Sequence, residues 1–365
     1  MADDRRIWGL DHLRALAAFM VFFWHGIHRD LVPLRAVPSD PILGIIEEGW
    51  VGVSLFFCIT GFIFTVLTHG KEIQYFNFLK NRVLRLLPLL FLVMLWSAAT
   101  NGQFSKASLG LFFNLLGGGV VFGTWSLVLE FHFYLAYPFI RHGIIRSTFA
   151  QTLAACGALL LLFFLFRAGH YVSGGKAMQQ ISYWTLFGHV DEFLGGIVGA
   201  IVFLRYGQDY RQSVRIASAV VLLISTVAVV SLVWWLNAQG GFQGTSSMKT
   251  TWLYWPTMMG FLWGAIITSY CLFVRGMRGP ITRAAAYLGD VSYSTYMLHF
   301  ITVPACQFFY MSYIDIRFFT DPLYNYSAML LLFTYPVTIF VSALSFELIE
   351  KPFLARRVSY LVRPA

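Results

Sequence analysis

Residues 49–68, GWVGVSLFFCITGFIFTVLT, decide the fold class of this chain. No charged side chain interrupts the stretch, and about 20 apolar residues in helical form cross a hydrocarbon core of about 30 Å. Lipid offers the backbone no hydrogen-bond partners, so an apolar segment of this length satisfies its own polar groups by becoming a helix. The stretch therefore predicts a transmembrane helix.

Similar apolar runs recur along the whole chain. Hydrophobic residues make up 58% of it and charged residues only 12%, whereas soluble domains carry about 25% charged residues. Short segments of alternating polarity, typical of transmembrane β-barrels, are not seen. The pattern predicts an all-α, polytopic membrane helix bundle, a single integral membrane domain over residues 1–365. We place about ten spans, at residues 10–28, 49–68, 86–101, 125–141, 151–167, 184–204, 214–236, 254–274, 287–311 and 327–346.

One further apolar stretch, Leu109 to Val121, is too short to cross the bilayer and contains Gly117-Gly118-Gly119. Consecutive glycines weaken a helix, so we expect a re-entrant segment there. The four cysteines stand singly inside apolar segments. They predict core residues, with neither a disulfide framework nor a metal site.

The basic residues predict the orientation in the membrane. A net charge of +9 suggests nucleic acid in a soluble protein, but here the Lys and Arg residues lie mainly in the loops between spans. With ten spans and both termini cytoplasmic, 18 of the 26 basic residues lie on the inner side and seven on the outer side, with Arg14 inside the first span. This asymmetry follows the positive-inside rule. The lipid bilayer is thus the expected partner, and nucleic acid is not.

Arg14 and His25 are ionisable residues inside the first predicted span. Such residues are costly in lipid and are usually functional or paired. They are eleven residues apart, so they share a helical face with about 16 Å between them. That face can line a path across the membrane. Alternatively, Arg14 extends its charge to the interface and His25 is a hydrogen-bonded core group.

Glu130 is the acidic residue of the fourth predicted span, and Tyr134 follows it one helical turn later. The opposite directions of spans one and four bring Glu130 and His25 to similar depths near the outer side. A histidine beside a carboxylate can act as general base on a hydroxyl or carry an acyl group. Tyr134 is a candidate for hydroxyl chemistry and equally for ordinary packing.

Two further sets are candidates for ligand binding. Arg82 and Arg85, at i and i+3, can grip the phosphates of an acyl-CoA, although cytoplasmic arginines are also ordinary topology signals. Ser292, Tyr296 and His299 form one polar stripe on an apolar helix. The stripe can orient an acceptor in a wet cavity or hydrogen-bond neighbouring helices. Asp191-Glu192 and Glu347 to Pro352 are weaker candidates.

Together these motifs resemble the acyltransferase-3 family of integral membrane acyltransferases. The resemblance extends over nearly the whole chain. In chain order its pieces are Gly9-Leu10-Asp11 with Arg14 and His25, Gly49 to Phe57 with Gly61-Phe62, Arg82 to Pro88, Trp125-Ser126-Leu127 through Glu130 to Pro138, Leu288-Gly289 through Ser292-Tyr293-Ser294 to His299, and Glu347 with Glu350-Lys351-Pro352.

The resemblance implies transfer of an acyl group, commonly acetyl, from cytoplasmic acetyl-CoA to hydroxyls of cell-envelope glycans such as lipopolysaccharide O-antigen or exopolysaccharide. It implies a multi-pass protein of the cell inner membrane. It also implies catalytic roles for His25, Glu130 and Arg14, and donor binding or pore structure for Arg82 and Arg85. The residue pattern itself, rather than the resemblance, makes Tyr134, Ser292, Tyr296 and His299 candidates for binding the acceptor.

The sequence departs from the family pattern at two places. Ser54 stands where an acidic residue is common, and Phe131-His132 replaces the usual acidic and amide pair after Glu130. Many members also carry a C-terminal esterase-like domain. None is seen up to Ala365, so we expect the membrane domain to complete the transfer alone or to hand over to another protein.

Two other classes of protein share some of these features. A glycan or small-molecule transporter also has many spans and intramembrane charges, but its usual mark is an internal repeat, which we do not find. A non-catalytic scaffold leaves the intramembrane His25, Glu130 and Arg14 unexplained.

Overall fold

The computed structural model describes residues 6–28, 41–101, 125–144, 148–175, 177–207, 211–314 and 316–362, and it is dominated by helices. The predicted re-entrant segment lies outside these residues. The long helices are α1 (Trp8–Ile27), α3 (Val51–Thr68), α4 (Tyr75–Asn101), α5 (Trp125–Ile144), α6 (Phe149–Val172), α8 (Leu186–Tyr206), α9 (Gln212–Ala238), α11 (Lys249–Phe273) and α13 (Ser292–Phe309). The short ones are α2 (Pro41–Glu47), α7 (Met178–Trp184), α10 (Gly241–Gly244) and α12 (Pro280–Asp290).

A tenth long helical run, Leu323–Leu354, is continuous although two π-helical stretches interrupt its α-helical geometry before its last turn. The helix α14 (Pro322–Met329) begins one residue before this run. The helices α15 (Tyr335–Ser345) and α16 (Lys351–Leu354) lie within it. The ten long helices coincide in place with the ten predicted spans. The main difference is α4, which begins at Tyr75 and so includes Arg82 and Arg85 in its first three turns.

Six of the ten are long and apolar enough to cross a membrane, namely α3, α6, α8, α9, α11 and the run Leu323–Leu354. The other four, α1, α4, α5 and α13, also have 18 to 27 residues. They are the helices that hold the predicted site residues. The structure thus confirms an all-α membrane fold, while the count of ten crossings and the side of the termini stay predictions.

The chain divides into two compact units. The first contains Met1–Trp24, Pro33–His69 and Arg141–Asp290, and the second contains His25–Val32, Gly70–Ile140 and Val291–Ala365. Each unit is built from stretches that are distant in sequence.

Glycines bring the central helices of the first unit close together. A side chain at Gly196 of α8 would overlap with the Cys58 carbonyl of α3, and one at Gly264 of α11 would meet the Gly195 carbonyl at 2.5 Å. Small residues at crossing points are typical of membrane helices, because close backbone approach maximises dispersion contacts where the hydrophobic effect between helices is absent. The core of the first unit is therefore the α3, α8 and α11 contact.

A buried ion pair joins three helices of the same unit. Arg167 of α6 donates to Asp191 of α8 at 2.6 and 3.2 Å and to Thr257 of α11 at 2.9 Å, and both charged side chains are 0% exposed. Asp191 also accepts a hydrogen bond from Thr257. The sequence placed Arg167 in an outer segment, but α6 continues to Val172, so the arginine lies within the helix.

An aromatic cluster lies beside the start of α3. Trp50 is 1% exposed and packs against Trp252, Trp255, Tyr183 and Phe242, with ring centroids 5.0 to 5.8 Å away. The Trp50 indole donates to Glu48 at 2.7 Å. Buried indole N–H groups usually have such an acceptor. Glu48 is itself 2% exposed, so it is part of the folded core rather than a surface charge.

The second unit holds α4, most of α5, α13 and the final helical run. The short strand β1 (Glu72–Ile73) pairs antiparallel with β2 (Leu361–Val362), and the Asn81 amide exchanges hydrogen bonds with the Val358 backbone at 2.7 and 3.0 Å. Tyr293 of α13 donates to the Leu86 carbonyl of α4 at 2.6 Å. These contacts hold α4 against the chain segments that carry the candidate site.

Candidate functional site

The site of the second unit begins on α5, where Tyr134 lies one turn after Glu130. The Tyr134 hydroxyl donates a hydrogen bond to the Glu130 carboxylate. Tyr134 is 2% exposed. The Arg82 guanidinium lies over the Tyr134 ring, with its carbon 5.9 Å from the ring centroid, and over Phe78 at 5.5 Å. A guanidinium stacked on aromatic faces is held in place and keeps N–H groups for other acceptors. Arg82, Tyr134 and Glu130 thus form a continuous set of contacts.

Arg85 lies on the same face of α4 as Arg82 and is partly exposed. Its charge acts on Tyr134 and on Tyr293, so it belongs to the same electrostatic environment. The predicted pair at i and i+3 is therefore present in a helix, next to Tyr134.

Helices α5 and α13 meet through side-chain hydroxyls. Ser126 of α5 and Tyr296 of α13 are hydrogen-bonded at 2.5 Å, and both are buried. Glu130 is close enough to interact electrostatically with Tyr296 and with Tyr293. The carboxylate therefore lies near the hydroxyl-bearing residues of α13.

Two histidine rings meet at the end of this set. The His299 ring lies 5.9 Å from the Tyr296 ring and 4.8 Å from the His25 ring, measured between centroids. Phe300 packs on both imidazoles, at 4.0 Å from His299 and 4.7 Å from His25. His299 is 1% exposed, and His25 is half-buried. A positive charge on either imidazole therefore interacts electrostatically with the other ring.

The tautomer of His299 follows from its backbone contact. His299 Nδ1 lies 3.2 Å from the Thr295 carbonyl oxygen, which only accepts. Nδ1 therefore carries a proton, and in the neutral ring Nε2 offers a lone pair. A ring in this state can take up a proton from a hydroxyl or from a neighbouring imidazolium.

The structure also describes the surroundings of Ser292 and Arg14. The Ser292 hydroxyl is buried and has no hydrogen-bond partner among the described residues. Arg14 belongs to the first unit, with its guanidinium 3.6 Å from Asp11. Arg6 binds that same aspartate at 2.6 Å and Asp290 at 2.8 Å. Arg14 thus takes part in an ion-pair cluster around the start of α1.

Seven predicted residues, His25, His299, Tyr296, Glu130, Tyr134, Arg82 and Arg85, are thus neighbours in one unit. We call them the polar line. The predicted direct meeting of His25 and Glu130 stays a prediction. In the structure, the His25 ring contacts the His299 ring, the His299 ring contacts the Tyr296 ring, and Tyr296 interacts electrostatically with Glu130.

The structure brings to this region three residues that the sequence analysis did not single out individually. Ser126 binds Tyr296, Phe300 packs on both histidines, and Glu350 accepts a hydrogen bond from Ser294. Glu350 carried a weak signal, as an acidic residue near the end of the last apolar run. Ser126 appeared only as part of the Trp125-Ser126-Leu127 motif, and Phe300 carried no signal, because a phenylalanine in a membrane helix is ordinary.

Comparison with known proteins supplies the class of chemistry. A family model described as an acyltransferase domain matches residues 7–347, which include the whole polar line and Arg14. No curated protein and no solved structure matches the chain. The match spans most of the sequence and agrees with the membrane-length helices described above. On this evidence the chain belongs to the acyltransferase-3 family of integral membrane acyltransferases.

Proposed function

We propose that this membrane acyltransferase transfers acetyl from cytoplasmic acetyl-CoA to a hydroxyl of a cell-envelope glycan, of the lipopolysaccharide O-antigen or exopolysaccharide type. The observation that supports it best is the polar line, which joins cations, a carboxylate, hydroxyls and two imidazoles within one unit of the fold. A transporter is not favoured, because the matched family consists of acyltransferases.

His25 is the proposed general base. It accepts the proton of the glycan hydroxyl while that oxygen attacks the thioester carbonyl carbon. The bond from this carbon to sulfur then breaks, and the proton passes to the departing CoA thiolate. Such proton transfer by a positioned side chain accelerates a reaction by about 100- to 10,000-fold. His299, 4.8 Å away between ring centroids, positions His25 and shares the proton's charge.

The remaining residues divide between donor and acceptor. Arg82 and Arg85 bind the donor phosphates, since guanidiniums form bidentate hydrogen bonds with phosphate oxygens. Glu130 keeps the Tyr134 hydroxyl oriented by accepting a hydrogen bond from it. Tyr134, Ser292, Tyr296 and His299 are the proposed acceptor-side contacts. Arg14, paired with Asp11, is proposed to support the reaction from the first unit.

The decisive experiment replaces His25. In a strain that depends on this gene for envelope acylation, His25→Ala should reduce ester-linked acetyl on purified envelope polysaccharide by about 100-fold or more, as expected for loss of a general base. His142→Ala is the matched control, because His142 is an exposed histidine outside the polar line, and it should leave acetylation unchanged. Protein level in the membrane is measured in parallel.

Wild-type acetylation in the His25 variant would contradict the mechanism. A deletion strain whose polysaccharides keep all their acetyl esters would contradict the choice of acceptor instead. Purified protein in nanodiscs then tests the donor, because labelled acetyl-CoA should lose its acetyl group to an added glycan only when His25 is present.

A further inference from the structure

An apolar groove of about 500 Å³ lies in the first unit, between α8, α9 and α11. Tyr206, Val221 and Phe261 line it and are 41 to 54% exposed, so the groove opens at the surface of the unit. No charged side chain is among its described lining residues. Nothing in the proposed acyl transfer uses this groove.

The hydroxyls that α11 contributes to the groove are satisfied within their own helix. Thr268 donates to the Gly264 carbonyl at 2.8 Å, and Ser269 donates to the Ala265 carbonyl at 2.6 Å. Hydroxyls bonded in this way need no partner from a ligand. The groove therefore suits an apolar occupant.

The groove is about as long as one leaflet of a bilayer is thick. Its lining residues extend from Gly195 to Tyr206 on α8 and from Phe261 to Leu272 on α11, eleven residues apart in both cases. This separation is about 16 Å along each helix, or about half of a hydrocarbon core of about 30 Å. A transmembrane helix of a partner would continue across the whole core, whereas the acyl chain of a lipid ends near its middle. The length therefore favours a lipid chain.

One end of the groove lies at the predicted cytoplasmic interface. Helices α8 and α11 end there, at Tyr206 and Phe273, and α9 begins there at Gln212. Tyrosine is enriched at this level of a membrane protein, because its ring suits lipid and its hydroxyl suits water. Under the predicted topology, the groove thus runs from the inner surface to the middle of the bilayer.

A cation stands at this end of the groove. Arg215, the residue after the lining residue Val214, is exposed, and its guanidinium carbon lies 5.4 Å from the centroid of the Phe273 ring. Its side chain makes no hydrogen bond or ion pair within the part of the chain that the structure describes. A guanidinium stacked on a ring keeps its N–H groups for other acceptors.

The start of α9 adds to this positive charge. No side chain caps the helix at Arg211, so its first backbone N–H groups stay open to an anion. The positive end of the helix dipole lies at the same place. The apolar groove and the cationic end together match a molecule that has a hydrocarbon chain and an anionic head.

We propose that this groove binds an anionic phospholipid of the cytoplasmic leaflet. One acyl chain lies between α8, α9 and α11, and the phosphate binds Arg215 and the first turn of α9. The cytoplasmic leaflet carries the anionic headgroups that basic residues at the membrane surface attract. A zwitterionic headgroup would place a second cation beside Arg215, so the anionic one binds more tightly.

The test measures the first lipid bound to the full-length protein by native mass spectrometry. Protein released from nanodiscs is titrated with phosphatidylglycerol or with phosphatidylcholine of the same acyl chains. Wild-type protein should bind the first phosphatidylglycerol at least about tenfold more tightly, and Arg215→Gln should remove this difference, because a charge-assisted hydrogen bond is lost. Arg283→Gln is the matched control, since Arg283 is an exposed arginine of α12 that does not line the groove, and it should bind like wild type.

Two adjacent valines of α9 test the groove itself. Val221 lines it and Val220 does not, although the two are 45% and 50% exposed. Val221→Trp should weaken binding of the first phosphatidylglycerol by at least about tenfold, because the indole takes the space of the acyl chain. Val220→Trp should bind like wild type.

Equal binding of the two lipids by wild-type protein would overturn the proposal, as would equal effects of the two tryptophan variants. A dimer that Val221→Trp dissociates would overturn it too, because a second copy of the chain would then occupy the groove. If Val221→Trp misfolds, Arg215→Gln at its exposed position decides the question by itself. The measurement does not depend on acyl transfer, so a failure would leave the proposed function intact.

Discussion

At the scale of single residues, the neighbouring acids Glu47 and Glu48 have different surroundings, although both are buried. Glu48 accepts three hydrogen bonds, from the Trp50 indole, the Asn237 amide and the Phe242 backbone, at 2.7 to 3.1 Å. Burial raises the pKa of Glu48, and these donors oppose that rise. Three donors suit an ionised carboxylate, so Glu48 is the better placed of the two to carry the charge.

Among the residues that the structure describes, Glu47 has one such donor, the Asn237 amide at 3.0 Å. Burial and then the charge of Glu48 raise the pKa of Glu47 to about 7, against the opposing Asn237 hydrogen bond. The second oxygen of Glu47 and the side-chain oxygen of Asn237 are both buried acceptors without a donor among the described residues. A proton on Glu47 supplies that donor. We therefore expect Glu47 to be neutral below about pH 7.

Glutamine substitutions distinguish the two acids. Because the folded-state pKa of Glu47 is raised, its contribution to stability is full below the unfolded value and is lost as pH rises through about 7. Glu47→Gln keeps a neutral group with a donor, so it should retain stability and remove this pH dependence. Glu48→Gln should cost about 1 to 3 kcal/mol, because three buried donors lose their carboxylate. Thermal unfolding of detergent-solubilised protein between pH 5 and 8 measures both effects.

Equal destabilisation by the two glutamine variants would show that Glu47 is also ionised. A wild-type unfolding temperature that rises between pH 5 and 8 would contradict the assigned sign.

At the scale of elements, the Arg167 and Asp191 ion pair joins α6 to α8 and, through Thr257, to α11. Removing one partner of a buried pair leaves an uncompensated charge and costs about 3 to 5 kcal/mol, whereas replacing both by apolar groups is often near neutral. Arg167→Met should therefore lower the unfolding temperature markedly, and the double variant Arg167→Met with Asp191→Leu should recover most of the loss.

Arg205→Met is the matched control, since Arg205 is an exposed arginine in the last turn of α8. It should change the unfolding temperature little. An additive loss in the double variant would show that the two charges do not stabilise one another.

At the scale of the whole molecule, the order of helices and the distribution of basic residues predict ten crossings with both termini in the cytoplasm. The four native cysteines are buried and free, so they give a low background for thiol labelling. Gln239→Cys, in the predicted outer segment after α9, should react with an impermeant maleimide in intact spheroplasts. Ser213→Cys, in the predicted inner segment and in the first turn of α9, should react only after permeabilisation.

Both positions are exposed, so a difference in labelling reports the side of the membrane rather than burial. Labelling of Ser213→Cys in intact spheroplasts would contradict the orientation. Equal labelling at both positions would mean that α9 does not cross the bilayer.

The sequence alone determined that the protein is an all-α membrane protein, because the length of an apolar run is a local property. It also identified the ionisable residues inside the predicted spans, because their charge follows directly from the residue type and is energetically costly in lipid. It correctly placed Arg82 and Arg85 on one helical face, and Tyr134 one turn after Glu130 on another helix. Such i, i+3 and i, i+4 neighbours follow from the period of a single helix.

Only the tertiary structure decided which helices face one another. Ser126 and Tyr296 are 170 residues apart, and Arg167 and Asp191 are 24 apart on different helices. Helical periodicity says which face of a helix is polar but not which neighbour that face meets. In lipid, that choice depends on close backbone approach at glycines such as Gly196 and on paired polar groups, which are properties of the packed fold. For the same reason, the meeting of the His25 and His299 rings could not be derived from the two separate motifs.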